Sequence, residues 1–260
     1  MATIILKNDG TTIDVQEKLD IIYQDQYIIA INKPSGLLVH KSPIDKHETR
    51  YAMKILRNQI GQWVYPVHRL DKPTSGLLLF ALSSEIAKKL GEQFENNKIK
   101  KTYIALVRGY TPLGGIIRHA LKETAMFKHQ KKMVEKREPQ EALTLYKRLA
   151  TIELPYSVDR YPSTRYSLIA AYPRTGRTHQ IRKHLKHISH PIIGDAKHGK
   201  GKHNRIFEDK HGTHRLLLAA TEISFTHPAT DEKMHLKAPL QNDFNSLILA
   251  LGWTGKALTN

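Results

Sequence analysis

Two uninterrupted apolar runs set the pattern of this chain: Ile28-Ile29-Ala30-Ile31 and Leu77-Leu78-Leu79-Phe80-Ala81-Leu82. Short apolar runs bounded by turn residues predict strands buried on both faces. The first run ends at Asn32-Lys33-Pro34-Ser35-Gly36, and the second follows Asp71-Lys72-Pro73-Thr74-Ser75-Gly76, both turn sequences. Tyr103-Ile104-Ala105-Leu106-Val107 predicts a central strand for the same reason. Segments 141–150, 165–172, 216–220 and 222–226 read as further strands. Helical spacing appears at Ala52, Ile55, Leu56 and Ile60 within 47–60. It recurs at Ile86, Leu90 and Phe94 behind an N-cap at Ser83 or Ser84, and at Phe244, Leu247, Ile248 and Leu251. Another helix is expected from near Thr178 to just before His190-Pro191. Residues 111–140 show no assignable period. Strands interspersed with a few helices, without strict βαβ alternation, predict an α+β fold on a mainly antiparallel sheet. Residues 1–18 read as an extension and 19–260 as one domain.

Composition narrows the partners more than the fold. The 260 residues carry 41 Lys and Arg against 24 Asp and Glu, a net charge of +17. A surplus of that size points to a polyanion, nucleic acid ahead of an anionic membrane surface. The longest apolar run is far below the roughly 20 residues of a spanning helix, so no membrane segment is expected. Met1 to Gly10 lacks the apolar core and cleavage site of a secretory signal. The chain has no cysteine, which excludes disulfides and thiolate metal sites and fits a cytoplasmic protein.

The positive charge is concentrated. Residues 174–215 hold 11 Lys and Arg against 3 Asp and Glu. Gly176 ahead of a helix start offers free backbone N–H groups to an anion. Segments 128–137 and 174–215 suit contact with phosphates. The 174–215 window also holds eight histidines. No H-E-x-x-H occurs and no carboxylate stands at ligand spacing within the expected helix, which argues against a metal site.

Asp71 is the candidate for chemistry. It lies in His68-Arg69-Leu70-Asp71-Lys72-Pro73-Thr74-Ser75-Gly76, at the edge of the longest apolar run. A carboxylate presented by a tight turn before a buried strand is rigidly aimed. The bland alternative is a turn cap or a partner for Arg69. Tyr103, at the edge of its strand, can stack on a flat ligand or serve as core.

Taken together, Asn32 to His40, His68 to Ala81, Lys101 to Gly109 and Gly176 to Asp195 resemble, in order and spacing, the motifs of the RluA family of pseudouridine synthases. The resemblance runs from about Leu19 to Leu251. Within that family, Leu149 to Glu153, Arg160 to Tyr166 and His187 to Gly199 are similar to the branch that modifies uridine 65 of tRNA. Ser189 and His198 stand where many members have Gly and Tyr, and His119-Ala120-Leu121 departs where many have a proline. With 31 residues before Asn32, the S4 domain that some members carry is not expected.

The resemblance implies the family's α+β fold with a catalytic cleft. It also implies an isomerase that cuts the N-glycosidic bond of a uridine, turns the uracil and rejoins it through carbon 5. No cofactor, no metal and no obligate protein partner is implied; the partner is tRNA, with ribosomal RNA as the alternative substrate. By resemblance Asp71 is the catalytic aspartate, Arg182 its cation, and Tyr103 stacks on the extruded ring and assists loss of the carbon 5 proton. Uracil inside a stem is out of reach, so the base must be flipped. Arg69 is implied to enter the vacated space and Ile181 to pack on the same pocket. Lys33, Arg177 and His179 complete the expected RNA-binding set. Specificity is expected in loops such as 111–140 and 196–213. Two rivals share some features: a non-catalytic RNA-binding protein, and a metal-dependent phosphoesterase built from the histidines and Asp195.

Overall fold

The two apolar runs lie side by side in the middle of one half of a large sheet. The computed structural model describes residues 3–6, 12–15, 17–41, 47–123, 137–158 and 160–253. Strands β1 (Thr3–Leu6) and β2 (Thr12–Val15) pair with each other and, among the described residues, with no other strand. The main sheet begins with β3 (Asp20–Gln24) and β4 (Ile28–Lys33). Helix α1 (Ala52–Ile60), strands β5 (Tyr65–Pro66) and β6 (Ser75–Ala81), and helix α2 (Ser84–Glu95) follow. The second half holds β7 (Lys100–Arg108), β8 (Gly114–Arg118), β9 (Leu143–Leu154) and β10 (Thr164–Pro173). It continues with α3 (Gln180–His187), α4 (Gly201–His211), β11 (Leu218–Thr226), β12 (Lys233–Lys237) and α5 (Asn242–Ala250). Among the described residues no helix is long and apolar enough to cross a membrane.

The main sheet runs β3-β4-β6-β11-β7-β10-β9-β8, with β12 on β11 and β5 on β6. All its pairings are antiparallel except β6 with β11. That junction joins the two halves and is short: Ala219 faces Ser75 and Ala220 faces Gly76. Gly76 is required there. Its φ is +108, and a Cβ would stand 2.0 Å from the Ala220 carbonyl oxygen.

Both faces of the central strands are buried. Along β6, Leu78 and Phe80 pack with Leu56 of α1, while Leu77 and Leu79 pack with Ile86 and Leu90 of α2. Along β7, Ala105 and Val107 meet Ile181 and Leu185 of α3, while Ile104 and Leu106 meet Phe207 of α4 and Phe244 of α5. This two-sided burial is why the strands read as continuous apolar runs.

The expected elements are present, with differences. The stretches 216–220 and 222–226 form one strand, β11, because a register shift between Ala220 and Glu222 absorbs the break. Segment 196–213 is not a loop throughout, since α4 occupies Gly201–His211. Only His203 and Phe207 are buried on that helix, too thin a stripe to register as a period. Strand β8 emerges from 111–140. The basic stretch 128–136 lies outside the described residues.

Candidate active site

The short β6–β11 junction creates the site. Past Gly76 the edge of β6 leaves β11, and β5 takes it up only at Phe80 and Ala81. Residues 67–74 fill the opening. His68 substitutes for a neighbouring strand, because its Nε2 accepts from the Leu79 N–H at 3.0 Å. Its ring also stacks on Phe94, with centroids 4.8 Å apart. Burial, then Lys101, hold His68 down to about 3, so the accepting nitrogen stays unprotonated.

Asp71 opens a tight turn in which the Thr74 N–H donates to the Asp71 carbonyl at 2.9 Å. Neighbouring groups clamp the turn. Gly36 N–H donates to the Lys72 carbonyl and Ser35 Oγ to the Pro73 carbonyl, at 2.9 and 2.8 Å. Arg215 Nη2 donates to Ser75 Oγ at 2.5 Å. The Asp71 carboxylate is thus held by a braced loop and keeps 20% exposure.

Arg182 reaches Asp71 from α3. Its Nη1 donates to Asp71 Oδ2 at 3.0 Å, while Nε and Nη2 donate to Asp195 Oδ2 and Oδ1, both at 2.8 Å. Asp195 is almost wholly buried and also accepts from the Lys197 and His198 N–H groups. Burial opposes the Arg182 charge, but Asp195 and then Asp71 outweigh it and raise its pKa. Asp195 orients a permanent cation, and that cation holds Asp71.

Tyr103 lies on β7 opposite Ala171 of β10 and Ala220 of β11. These small neighbours leave room above the sheet. The resulting cavity is about 410 Å³ and is lined by Asp71, Tyr103 and Arg182 together with Arg69, Arg177, His179 and Ile181. Seven of the eight candidate residues therefore converge on one space. Burial, then Asp71, push the Tyr103 phenol above its usual range, so it stays neutral. Arg69 and Arg177 are exposed at the wall, whereas Ile181 is buried among Val107, Leu185 and Leu218.

Lys33 is the exception, and its expected contact with RNA is corrected. It is fully buried, and its Nζ donates to the Pro34, Leu37 and Lys72 carbonyls at 2.8, 2.7 and 3.2 Å. Burial, then Arg215, lower its pKa to about 7. Lys33 braces the Asp71 turn from beneath. The open anion site expected at Gly176 is also modified, because the Arg177 N–H there donates to Gln180 Oε1 at 3.0 Å.

The histidines hold elements together. His184 bonds Thr144 Oγ1 and the His119 carbonyl, tying α3 to β9. His190 bonds the Arg108 carbonyl, His203 the Tyr166 hydroxyl and His211 the Tyr156 hydroxyl. Among the described residues no group of three or more His, Asp or Glu could hold a metal ion. Asp195 and Lys101 were missed as site residues. Asp195 is the one acid between Arg174 and Glu208 in a densely basic stretch, and that was the available signal. For Lys101 it was the i, i+2 relation to Tyr103, which puts both on one strand face.

Comparison with known proteins gives a consistent set. Residues 27–187 match the family described as RNA pseudouridylate synthase. A Vibrio parahaemolyticus protein named tRNA pseudouridine synthase C is 48% identical over 236 residues, 91% of this chain and 96% of its own. A Haemophilus ducreyi protein of the same name is 49% identical over 236 residues, 91% of this chain and 97% of its own. Among solved structures, human RNA pseudouridylate synthase domain containing 1 superposes with a TM-score of 0.65 at 25% identity, covering 92% of this chain and 96% of its own. Human RNA pseudouridylate synthase domain containing 4 shares the fold with a TM-score of 0.67, covering 90% and 93%.

Proposed function

The chain belongs to the RNA pseudouridylate synthase family, as an RluA-type enzyme, and from that premise we propose that it isomerises uridine 65 of tRNA with Asp71 as the reacting carboxylate. The observation that carries the reading is the convergence of Asp71, Arg182 and Tyr103 on one cavity, with Asp71 Oδ2 held 3.0 Å from a buried guanidinium. The name shared by relatives at 45–49% identity supports tRNA as the substrate.

The geometry suits each part of the reaction. Arg182 fixes one carboxylate oxygen of Asp71 at 3.0 Å within a partly closed site. Neutral Tyr103 offers a flat face to an extruded uracil, and Ile181 an apolar wall. Arg69 is exposed beside Asp71 in sequence and at the cavity wall, where it can fill the gap left by a flipped base. The N1–C1′ bond breaks, a C5–C1′ bond forms, and the proton lost from C5 is balanced by one gained at N1. Asp71 holds the Tyr103 proton in place while it is charged. The basic surface supplies phosphate and shape contacts of the kind RNA stems offer.

The test is to map pseudouridine in an unmodified tRNA transcript and in ribosomal RNA after incubation with wild type and Asp71→Asn. A mark at position 65 from wild type alone is expected. A mark on ribosomal RNA instead keeps the chemistry and overturns the substrate. Binding without product from wild type favours the non-catalytic rival.

A further inference from the structure

His179 and His198 stand outside the steps assigned to Asp71, Arg182 and Tyr103, yet they close a ring of contacts around Asp71. His179 precedes α3 in the left-handed conformation, φ 55 and ψ 28. Histidine is among the few residues that enter this region readily, and here it turns the ring into the cavity. His179 Nδ1 lies 2.9 Å from His198 Nε2, and His179 Nε2 lies 3.9 Å from Asp71 Oδ2. The ring of contacts then runs through the His198 N–H to Asp195, through Arg182, and back to Asp71 Oδ2.

Two ring nitrogens 2.9 Å apart share one proton, so one ring donates and the other accepts. Asp71 decides which. A carboxylate near His179 Nε2 disfavours a bare lone pair there and favours an N–H. With that proton on Nε2, Nδ1 is the acceptor, and the donor hydrogen belongs to His198 Nε2.

We propose that His198 is a positioning residue for the reaction: it donates to His179 Nδ1, fixes the His179 proton on Nε2, and keeps an N–H donor aimed at Asp71 Oδ2 beside Arg182. This rests on the reading of Asp71 as the reacting carboxylate. Two donors then engage Oδ2, and Oδ1 is the oxygen presented to substrate. The 3.9 Å approach tightens to hydrogen-bond length when RNA fills the cavity, as contacts in unliganded sites commonly do. The charged groups facing His179 are Asp71 from the turn before β6, Arg182 and Lys183 of α3, and Lys197 of the segment after α3, with the titratable His198 ring beside it. Burial, followed by Arg182, Lys197 and Lys183, outweighs Asp71 and lowers the His179 pKa. Burial, with Arg182, His179 and Lys183, likewise brings His198 to about 4 against the pull of Asp195. Both rings are neutral at pH 7, so His198 controls a tautomer and not a titration.

The experiment measures single-turnover pseudouridine formation on an unmodified tRNA transcript, with two-bond ¹H–¹⁵N histidine spectra of the free protein. His198→Leu should slow the step at saturating RNA roughly 10- to 100-fold, the value of one hydrogen bond acting on a charged group, with RNA affinity unchanged. His198→Gln, which keeps an N–H donor without a titrating ring, should restore most of the rate. Wild-type spectra should place the His179 proton on Nε2. A wild-type rate in His198→Leu, no rescue by Gln, or a His179 proton on Nδ1 in wild type overturns the proposal. Should His198→Leu fail to fold, the wild-type spectrum still decides. An active Asp71→Asn overturns the reading of Asp71 itself. An inactive Asp71→Asn beside an indifferent His198→Leu overturns only the positioning role.

Discussion

Asp195→Asn should unfold the protein more readily than Asp71→Asn, although Asp71 is the carboxylate assigned to the chemistry. Arg182 spends two of its three contacts on Asp195, at 2.8 Å each, and one on Asp71 at 3.0 Å. The Asp195 side chain is 1% exposed and that of Arg182 6%, against 20% for Asp71. Asn at 195 loses the charge and turns an amide N–H₂ toward a guanidinium donor. Removing one partner of a buried pair costs about 3–5 kcal/mol, and here Arg182 stays buried with the more exposed Asp71 as its one remaining counter-ion. In a chain of this size each kcal/mol moves the melting temperature by about 2–4 °C, so the expected fall is roughly 6–20 °C. Asp71→Asn leaves the Asp195 clamp intact and removes one hydrogen bond from a partly hydrated carboxylate, a cost of about 1–2 kcal/mol. Thermal unfolding of the three proteins at neutral pH, with isomerisation rates in parallel, separates the roles. Asp71→Asn should melt near wild type and be inactive. An Asp195→Asn melting temperature within 3 °C of wild type, or an equal loss in both variants, would refute the division of labour.

Gly76→Ala places a Cβ 2.0 Å from the Ala220 carbonyl at a φ of +108, combining overpacking with backbone strain. Urea unfolding should show a loss of roughly 2–6 kcal/mol, and an unchanged midpoint would remove the junction as the reason for this glycine. His68 titrates lower in the folded chain than its unfolded value of about 6.5, so the folded state binds fewer protons in between. Stability should therefore be lost as pH falls from about 6.5 toward 3, by up to about 1.4 kcal/mol per pH unit, and the slope should shrink in His68→Gln. The same slope in both proteins would sink that assignment. If roughly 6–10 phosphates are engaged, RNA affinity should drop about 10³–10⁵ between 50 and 200 mM salt. A flat response in filter binding would take the basic segment 174–215 out of the interface.

The parts of the fold legible in the sequence are those where burial is lopsided enough to leave a period. Strands β4, β6 and β7 are apolar on both faces and stand out as runs; α2 and α5 carry apolar residues at i, i+4 spacing. Strand β3 is short and mostly exposed and does not alternate, while β12 alternates over only five residues, too few to stand out. Strand order was not legible, because the parallel β6–β11 contact depends on Gly76 meeting Ala220 across 144 positions of chain, and no local pattern encodes that.

The site divides in the same way, by whether a residue's role depends on its own type or on what surrounds it. Asp71, Tyr103 and Arg182 could be named early because their chemistry travels with their motifs. Lys33 could not: the same ammonium that would meet a phosphate on a surface is here folded inward onto three carbonyls, and only the turn it braces shows why. The histidines make the point more sharply. Eight of them in 42 residues invite a metal site, although no H-E-x-x-H occurs among them. In the fold half of them link elements, through Thr144, Arg108, Tyr166 and Tyr156, because imidazole is compact enough to bridge two elements from a buried position. His179 and His198 differ in bonding to each other with one end facing Asp71. A basic, histidine-rich segment thus serves three purposes in one length of chain: it fastens α3 to the sheet, carries positive charge for RNA, and orients the carboxylate. Of these, net charge reports only the second.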